Sequence, residues 1–205
     1  MTPDWLKWIR ELSAIAQNGL AYTKDIYDRE RFERMQEILS EMISARSDGD
    51  APQIKDLLSG EQGYTTPKVD VRGAAFSEQG ILLVRERSDG LWTLPGGWAD
   101  VTESPAEAIV KEIREESGFT ARVVKLAAVY DRNKHPHPPN FFSIYKCFFL
   151  CEITGGAPSD SIETDGVGFF AEHSLPPLSL ARVTEAQIQR VFQHYRQPNL
   201  PTDFD

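Results

Sequence analysis

The chain is poor in sulfur: 205 residues hold two cysteines, Cys147 and Cys151. They sit four apart in "CFFLC", an apolar aromatic run that reads as a strand. At ~3.3 Å per residue they would stand roughly 13 Å apart, beyond the reach of a disulfide. Buried structural thiols are the reading, and a reducing cytoplasm is the compartment that fits it. Positive charge is scarce as well. Lys and Arg number 22 against 31 Asp and Glu, for a formal net charge of -9. That balance excludes a nonspecific binder of duplex DNA, which needs a basic footprint. It leaves room for a small site that takes phosphates through metal ions. No stretch approaches the ~20 apolar residues of a membrane span, so no membrane partner is expected. The opening "MTPDWLKWIRELSAIAQ" is amphipathic and charged, and lacks the apolar centre of a signal peptide. Internal repeats and low-complexity tracts are missing too.

What is there is enough for a core: 40% of residues are hydrophobic and 10% aromatic. The length suits one large or two small domains. Residues 1–62 read as a small helical domain. Trp5, Trp8, Ile9, Leu12, Ile15 and Ala16 recur at helical spacing, and Asn18-Gly19 reads as a stop. A second helix is expected from about Asp28 to Arg46, broken by "SDGDAP", with a short third at "IKDLLS" and a linker at "GEQGYTTP". The apolar stripes are wide for so little mass. This predicts packing on the main domain or on a second subunit, with Trp5 and Trp8 as anchors of a homodimer.

Residues 66–205 change pattern. Strands are expected at "VDVRGAAF" and "GILLVRER", around a turn at "SEQG", and briefly at "GLWTLPGGW". A helix over Pro105–Ser117 follows, then strands near 121–131, 141–153 and "GVGFFA", and a helix near Thr184–Tyr195. The order implies an α/β domain.

The Pro105–Ser117 helix carries the chemistry. Ser104 can cap it, Glu107 completes a capping box, and Gly118 suits the left-handed position beyond it. At 100° per residue, Ala106, Ile109, Val110 and Ile113 form the core stripe. Glu112, Glu115 and Glu116 fall together on the adjacent stripe, beside the small Ala108. Glu107 and Lys111 are expected to pair along the helix. Three carboxylates in one turn repel unless a cation neutralises them, and oxygen-only ligands select Mg²⁺ or Mn²⁺. "PGG" just ahead lets the backbone approach a ligand closely.

The run Gly97-x5-Glu103-x7-Lys111-Glu112-Ile113-x-Glu115-Glu116-x-Gly118-Phe119 resembles the Nudix box, Gly-x5-Glu-x7-Arg-Glu-U-x-Glu-Glu-x-Gly-U with U apolar. Lys111 stands where the family has Arg. The chain is thereby identified as a member of the Nudix hydrolases from Val69 onward. Its head resembles the helical domain ahead of bacterial enzymes that cleave nucleoside diphosphates linked to X, called ADP-ribose or CDP-choline pyrophosphatases. The resemblance implies a Nudix-type α/β/α sandwich with a mixed sheet behind the all-helical domain. It implies a phosphoanhydride hydrolase using Mg²⁺ or Mn²⁺ and giving a nucleoside monophosphate and phospho-X. CDP-choline is the first substrate expected, weighed by the helical head, and ADP-ribose the next.

Residue by residue, the resemblance implies Glu112 and Glu116 as metal ligands, Glu115 as ligand or polariser of the attacking water, and the Gly96 carbonyl as a further ligand. Glu103 would pair with residue 111 and hold the loop, and Lys111 would lack the planar fork of an Arg there. A further catalytic carboxylate is expected from "SDSIETDGVGFFA": Glu163, with Asp160 and Asp165 as rivals. For substrate contacts, Arg72 and Arg85 (or Arg87) are phosphate ligands or surface charges, and Trp98 is a pocket wall. Arg132 and His137 belong to a loop, "YDRNKHPHPPNFF", able to close over a base or sugar. Trp92 reads as core, and His173 and His194 have no visible partner. Two other readings share this sequence: trimming of an RNA 3′ end by the same site, and a nucleotide-sensing regulator that does not cut.

Overall fold

The computed structural model describes residues 3–46 and 63–205. The third helix at "IKDLLS" and the break at "SDGDAP" lie outside them. The chain divides into two units. One comprises Thr2–Pro67 with Pro139–Ser143, the other Lys68–Pro138 with Ile144–Asp205.

The first unit is a helical hairpin, α1 (Asp4–Tyr22) and α2 (Ile26–Ser44). Asp25 caps α2, its Oδ1 accepting from the amides of Tyr27 at 2.8 Å and Asp28 at 3.0 Å. The helix therefore starts ahead of the expected Asp28. Asn18-Gly19 is no stop. The Asn18 side chain accepts from the Thr65 amide at 2.8 Å, and a Cβ at Gly19 would stand 2.4 Å from the Phe32 ring. Glycine is there so that the two helices can close. Ile9 and Leu39 form the centre, with Trp5, Met35, Ile43 and Phe141 packed on them. Trp5 is thus spent inside the hairpin, whereas Trp8 stays 63% exposed, with Ile15, Tyr22, Ile26 and Tyr27 also exposed.

The second unit is a mixed seven-stranded sheet between two helices. Its strands are β1 (Lys68–Ser77), β2 (Gly80–Glu86), β3 (Trp92–Thr93), β4 (Phe119–Asp131), β5 (Ile144–Gly156), β6 (Thr164–Phe170) and β7 (Asp203–Phe204). They run in the order β3-β2-β1-β5-β4-β7, with β6 along β2. The β1–β5 and β4–β7 pairs are parallel and the others antiparallel. The helices are α3 (Pro105–Ser117) and α4 (Glu185–Arg196).

Period-two alternation divides the core between them. Ala74, Phe76, Ile81, Leu83, Phe148 and Leu150 face Ile188, Val191 and Phe192 of α4. Val71, Ala75, Leu82, Phe149 and Cys151 face Ala108, Ile109 and Ile113 of α3. Both cysteines are free thiols on β5, as read. Gly73 brings α3 close: a Cβ there would lie 2.7 Å from the Ile113 side chain and 3.1 Å from Ile109. The stripe that reaches the sheet is Ala108, Ile109, Ile113 and Ser117, while Ala106 and Val110 stay partly exposed. The buried face is therefore turned towards Glu116 compared with the stripe read from sequence.

Candidate active site

Helix α3 is set at both ends. The Ser104 side chain accepts from the Glu107 amide, and the Glu107 carboxylate accepts from the Ser104 amide at 2.9 Å. Gly118 ends the helix at φ 77°, where a Cβ would lie 2.3 Å from the Ala157 carbonyl. Glu107 is thus used in the cap and does not pair with Lys111. Lys111 reaches instead off the helix, to Asp100 at 2.8 Å and Glu103 at 3.2 Å. Those two carboxylates, Asp100 first, hold its ammonium well above the ordinary lysine range. Glu103 is thereby brought to residue 111, and the 100–103 loop is pinned against the helix by two acids rather than one.

The glycine loop lies between β1 and α3. Val71 and Gly73 donate to the carbonyls of Gly97 (2.8 Å) and Pro95 (2.9 Å). Gly96 has φ 142°, and a Cβ on it would sit 1.9 Å from the Val71 carbonyl, so only glycine fits. Its amide donates to Glu116 Oε2 at 2.8 Å. Beside it, a Cβ on Gly97 would lie 3.1 Å from Glu112 Oε1. Both metal-ligand candidates of the helix therefore stand against the glycine pair.

The 157–164 segment closes the other side. Thr164, fully buried, donates its hydroxyl to the Glu116 carbonyl at 2.6 Å, and the Ser159 amide donates to the Ser117 carbonyl at 3.1 Å. Loop and helix end are thus fastened together. Between them lies a cleft of about 360 Å³ lined by Glu112, Glu115, Glu116, Asp160, Ser161, Ile162 and Glu163. Glu163 and Asp160 both reach it. Asp165 does not: it is held by Arg85 Nε at 2.8 Å.

Charge accounts for what this cleft does. Glu116 is 4% exposed. Burial pushes its carboxyl up to about 8, with Glu112 and Glu86 adding to the effect and Arg72 and the Gly96 amide opposing it. Glu112 is raised too, by burial first and by Glu115 and Glu163, against the pull of Arg72. Among the described residues, no salt bridge joins Glu112, Glu116, Glu163 or Asp160 to a cation; Glu115 meets Arg114 at 3.7 Å. A cluster of acids with so few cation partners, Glu116 buried and Glu112 half buried within it, gains by binding a cation. The donors are all oxygen, which fits a hard divalent ion such as Mg²⁺ or Mn²⁺. Among the described residues no three His, Cys, Asp or Glu side chains converge as a ready-made metal cluster.

The substrate contacts read from sequence fare differently. Arg72 is neither a surface charge nor open to a phosphate. It is 4% exposed, forked onto Asp70 at 2.8 and 2.9 Å, and donates to the Leu94 carbonyl at 3.1 Å. Arg85 is committed to Asp165. Arg132 is buried, donating to the carbonyls of Pro138 at 2.8 Å and Ala181 at 3.4 Å. His137 is buried between the Leu180 carbonyl (2.7 Å) and the Gln187 amide (3.0 Å). Burial pushes its pKa down to about 4, so the ring is neutral, donating from Nδ1 and accepting at Nε2. These loop side chains tie the backbone down instead of facing the cleft. Trp98 is the most exposed of the five, at 52%, next to the glycines. Trp92 packs edge-on against Phe170 in the core, as read.

Two features escaped the sequence reading. Lys146 on β5 is 1% exposed, with Nζ 2.6 Å from Asp70; only its register opposite Asp70 brings them together. Asp203 on β7 collects Arg190, His194 (3.1 Å) and Tyr130 (3.2 Å), which gives His194 the partner it lacked. No local pattern marks a two-residue strand placed so late in the chain.

With this geometry in view, the comparisons with known proteins are direct. Residues 66–192 match the family description "NUDIX domain", and residues 3–58 match "UDP-X-like, N-terminal oligomerisation domain". A Bacillus subtilis (strain 168) protein named "Putative ADP-ribose pyrophosphatase YjhB" is 49% identical over 98% of this chain and 97% of its own length. A crystal structure of a UDP-X diphosphatase superposes with TM-score 0.65 at 38% identity, covering 98% of both chains. That of an ADP-ribose pyrophosphatase from Streptococcus suis 89-1591 gives TM-score 0.63 at 41% identity, over 68% of this chain and 100% of the other. The chain belongs to the Nudix hydrolase family and is a Nudix pyrophosphatase with the two-helix head ahead of its α/β/α domain. Among its described residues, no helix is long and apolar enough to cross a membrane.

Proposed function

We propose that this Nudix pyrophosphatase cleaves the diphosphate of a nucleoside diphosphate sugar, ADP-ribose first. The observation that carries the reading is the single cleft in which Glu112, Glu115 and Glu116 meet the 160–163 loop behind Gly96 and Gly97. The ADP-ribose preference draws on the names of the Bacillus and Streptococcus relatives. The full-length likeness to a UDP-X diphosphatase favours a second reading, a UDP-linked substrate in the same cleft. None of these three relatives is named for CDP-choline, so it moves behind both.

Glu112, Glu116, Glu115 and the Gly96 carbonyl would hold Mg²⁺ or Mn²⁺. Bound there, the ion offsets the charge of the diphosphate and makes water acidic enough to attack near neutral pH. Glu163, which lines the same cleft from the 160–163 loop, would take the proton of the attacking water. Water adds in line at one phosphorus, the bond to the bridging oxygen breaks, and the two phosphates leave as a nucleoside monophosphate and a phospho-sugar. Glu103 and Lys111 act at one remove, by keeping the loop ahead of the helix in place. The exposed Trp8, Ile15, Tyr22, Ile26 and Tyr27 of the hairpin support a homodimer, in line with the oligomerisation domain its sequence matches.

A product assay with Mg²⁺ tests this, offering ADP-ribose, a UDP-linked sugar, CDP-choline, 8-oxo-dGTP and a short RNA in parallel. Release of AMP and ribose phosphate is the expected result. Turnover of the UDP compound alone would select the second reading. Tight nucleotide binding without any turnover would turn the protein into a sensor.

A further inference from the structure

Three ionised side chains with no place in the reaction lie beneath the glycine loop. Asp70, Arg72 and Lys146 are 6%, 4% and 1% exposed. Lys146 Nζ stands 2.6 Å from Asp70 Oδ1, and the Arg72 guanidinium takes both oxygens of the same carboxylate, at 2.9 and 2.8 Å. Burial alone would raise the Asp70 carboxyl, but Arg72 and Lys146 outweigh it and keep it ionised. Taking three charges out of water is expensive, and well-packed apolar side chains often give equal or better stability. Stability alone therefore does not account for the group.

Its geometry does. The fork on Asp70 fixes the guanidinium, leaving Nη1 to hold the Leu94 carbonyl at 3.1 Å. The backbone on either side of Arg72 adds two bonds, Gly73 to the Pro95 carbonyl and Val71 to the Gly97 carbonyl. Of the four carbonyls from Leu94 to Gly97, these bonds take all but that of Gly96. Beyond the pair, the Ala99 amide donates to the Val69 carbonyl at 3.0 Å, completing the backbone bridge between residues 70 and 98. The loop is thus tied before the glycines, at Gly97 and just beyond it, and Gly96 is left to face Glu116.

We infer that Lys146, Asp70 and Arg72 are positioning residues, a buried clamp that sets the Gly96 backbone against Glu116. Lys146 fixes Asp70, Asp70 fixes Arg72, and Arg72 fixes the start of the loop. The inference about the loop stands on its own; its effect on metal binding rests on the reading of Gly96 as a donor.

The test uses the full chain with Lys146→Met and Arg72→Lys, the latter keeping the charge but losing the fork. Exchange of the Gly96 amide is followed by NMR, and Mn²⁺ binding by calorimetry. Both variants are expected to speed Gly96 exchange and to weaken Mn²⁺ by ~10-fold or more, the usual scale for a group behind a metal ligand. Lys125→Met, whose ammonium holds the Pro198 and Leu200 carbonyls elsewhere, is expected to leave both unchanged. Faster exchange with unaltered Mn²⁺ affinity would support the clamp and remove Gly96 from the ligand set. Unaltered exchange at Gly96 in both variants would overturn the clamp. If Lys146→Met does not fold, Arg72→Lys decides.

Discussion

Helix α3 and the 130–142 loop are both rich in ionisable side chains, and both looked functional. They are opposites. On α3, Glu116 is buried and Glu112 half buried, and among the described residues neither forms a salt bridge; their ionisation is displaced accordingly. In the loop, Arg132 and His137 are buried and hydrogen-bonded, mostly to backbone carbonyls. A polar side chain that is buried and satisfied has finished its work in folding. One that is buried and left short of partners still has something to bind. The difference lies in the partners, not in the residue types.

The contrast can be broken or sharpened by substitution. Glu116→Gln should cost at least ~100-fold in kcat with the fold retained, because it removes a charge used only with the ion and substrate bound. Near-normal turnover would end the metal-ligand assignment. Glu163→Gln is next, with a loss of ~100-fold expected of a general base. Asp160→Asn, in the same cleft, should stay within ~3-fold on the same grounds. If the two losses are reversed, the base is Asp160. Lys111→Ala frees the 100–103 loop and should lower kcat by ~10-fold, with Lys111→Arg restoring it. Failure of Arg to rescue would mean that the pin is not the cause.

On the loop side the effects should fall on stability instead. Folded His137 resists protonation until about 4, whereas in the unfolded chain it takes up a proton near its ordinary pKa. Between those values the unfolded state holds more protons, so stability is complete above the ordinary value and drains away as pH falls towards 4. The loss is of the order of 3 kcal/mol at most. His137→Asn should flatten that part of the stability-versus-pH curve and leave kcat nearly unchanged. An equally steep curve in the variant would assign the slope elsewhere. The smallest effect is expected from Arg85→Ala. Its pair with Asp165 is partly exposed, worth ~1 kcal/mol or less, and nucleotide KM should change by less than ~2-fold. A larger rise in KM would put Arg85 back on the substrate.

Much of this was legible in the chain because it is local. The bounds of α3, its cap, its left-handed end and the shared face of Glu112, Glu115 and Glu116 follow from neighbours within a few residues. The strands announced themselves by alternation. What could not be read depends on contacts far along the chain. Arg72 looked like a surface charge because its neighbours in sequence do not reveal that the Leu94 carbonyl meets it and that Lys146 shares its Asp70 partner. Gly19 looked like a stop because Phe32 is thirteen positions away. Asp203 lies on a strand too short to carry a pattern.

Gly73 has a consequence of another kind. It is the point on β1 where α3 rests, through Ile109 and Ile113, and it has no chemistry of its own. The three glutamates ride on that helix as one block. Thickness added at residue 73 would lift the block against Gly96 on one side and Thr164 on the other. The tolerance of the reaction centre is thus a clearance between two surfaces, measured where no reacting group is found.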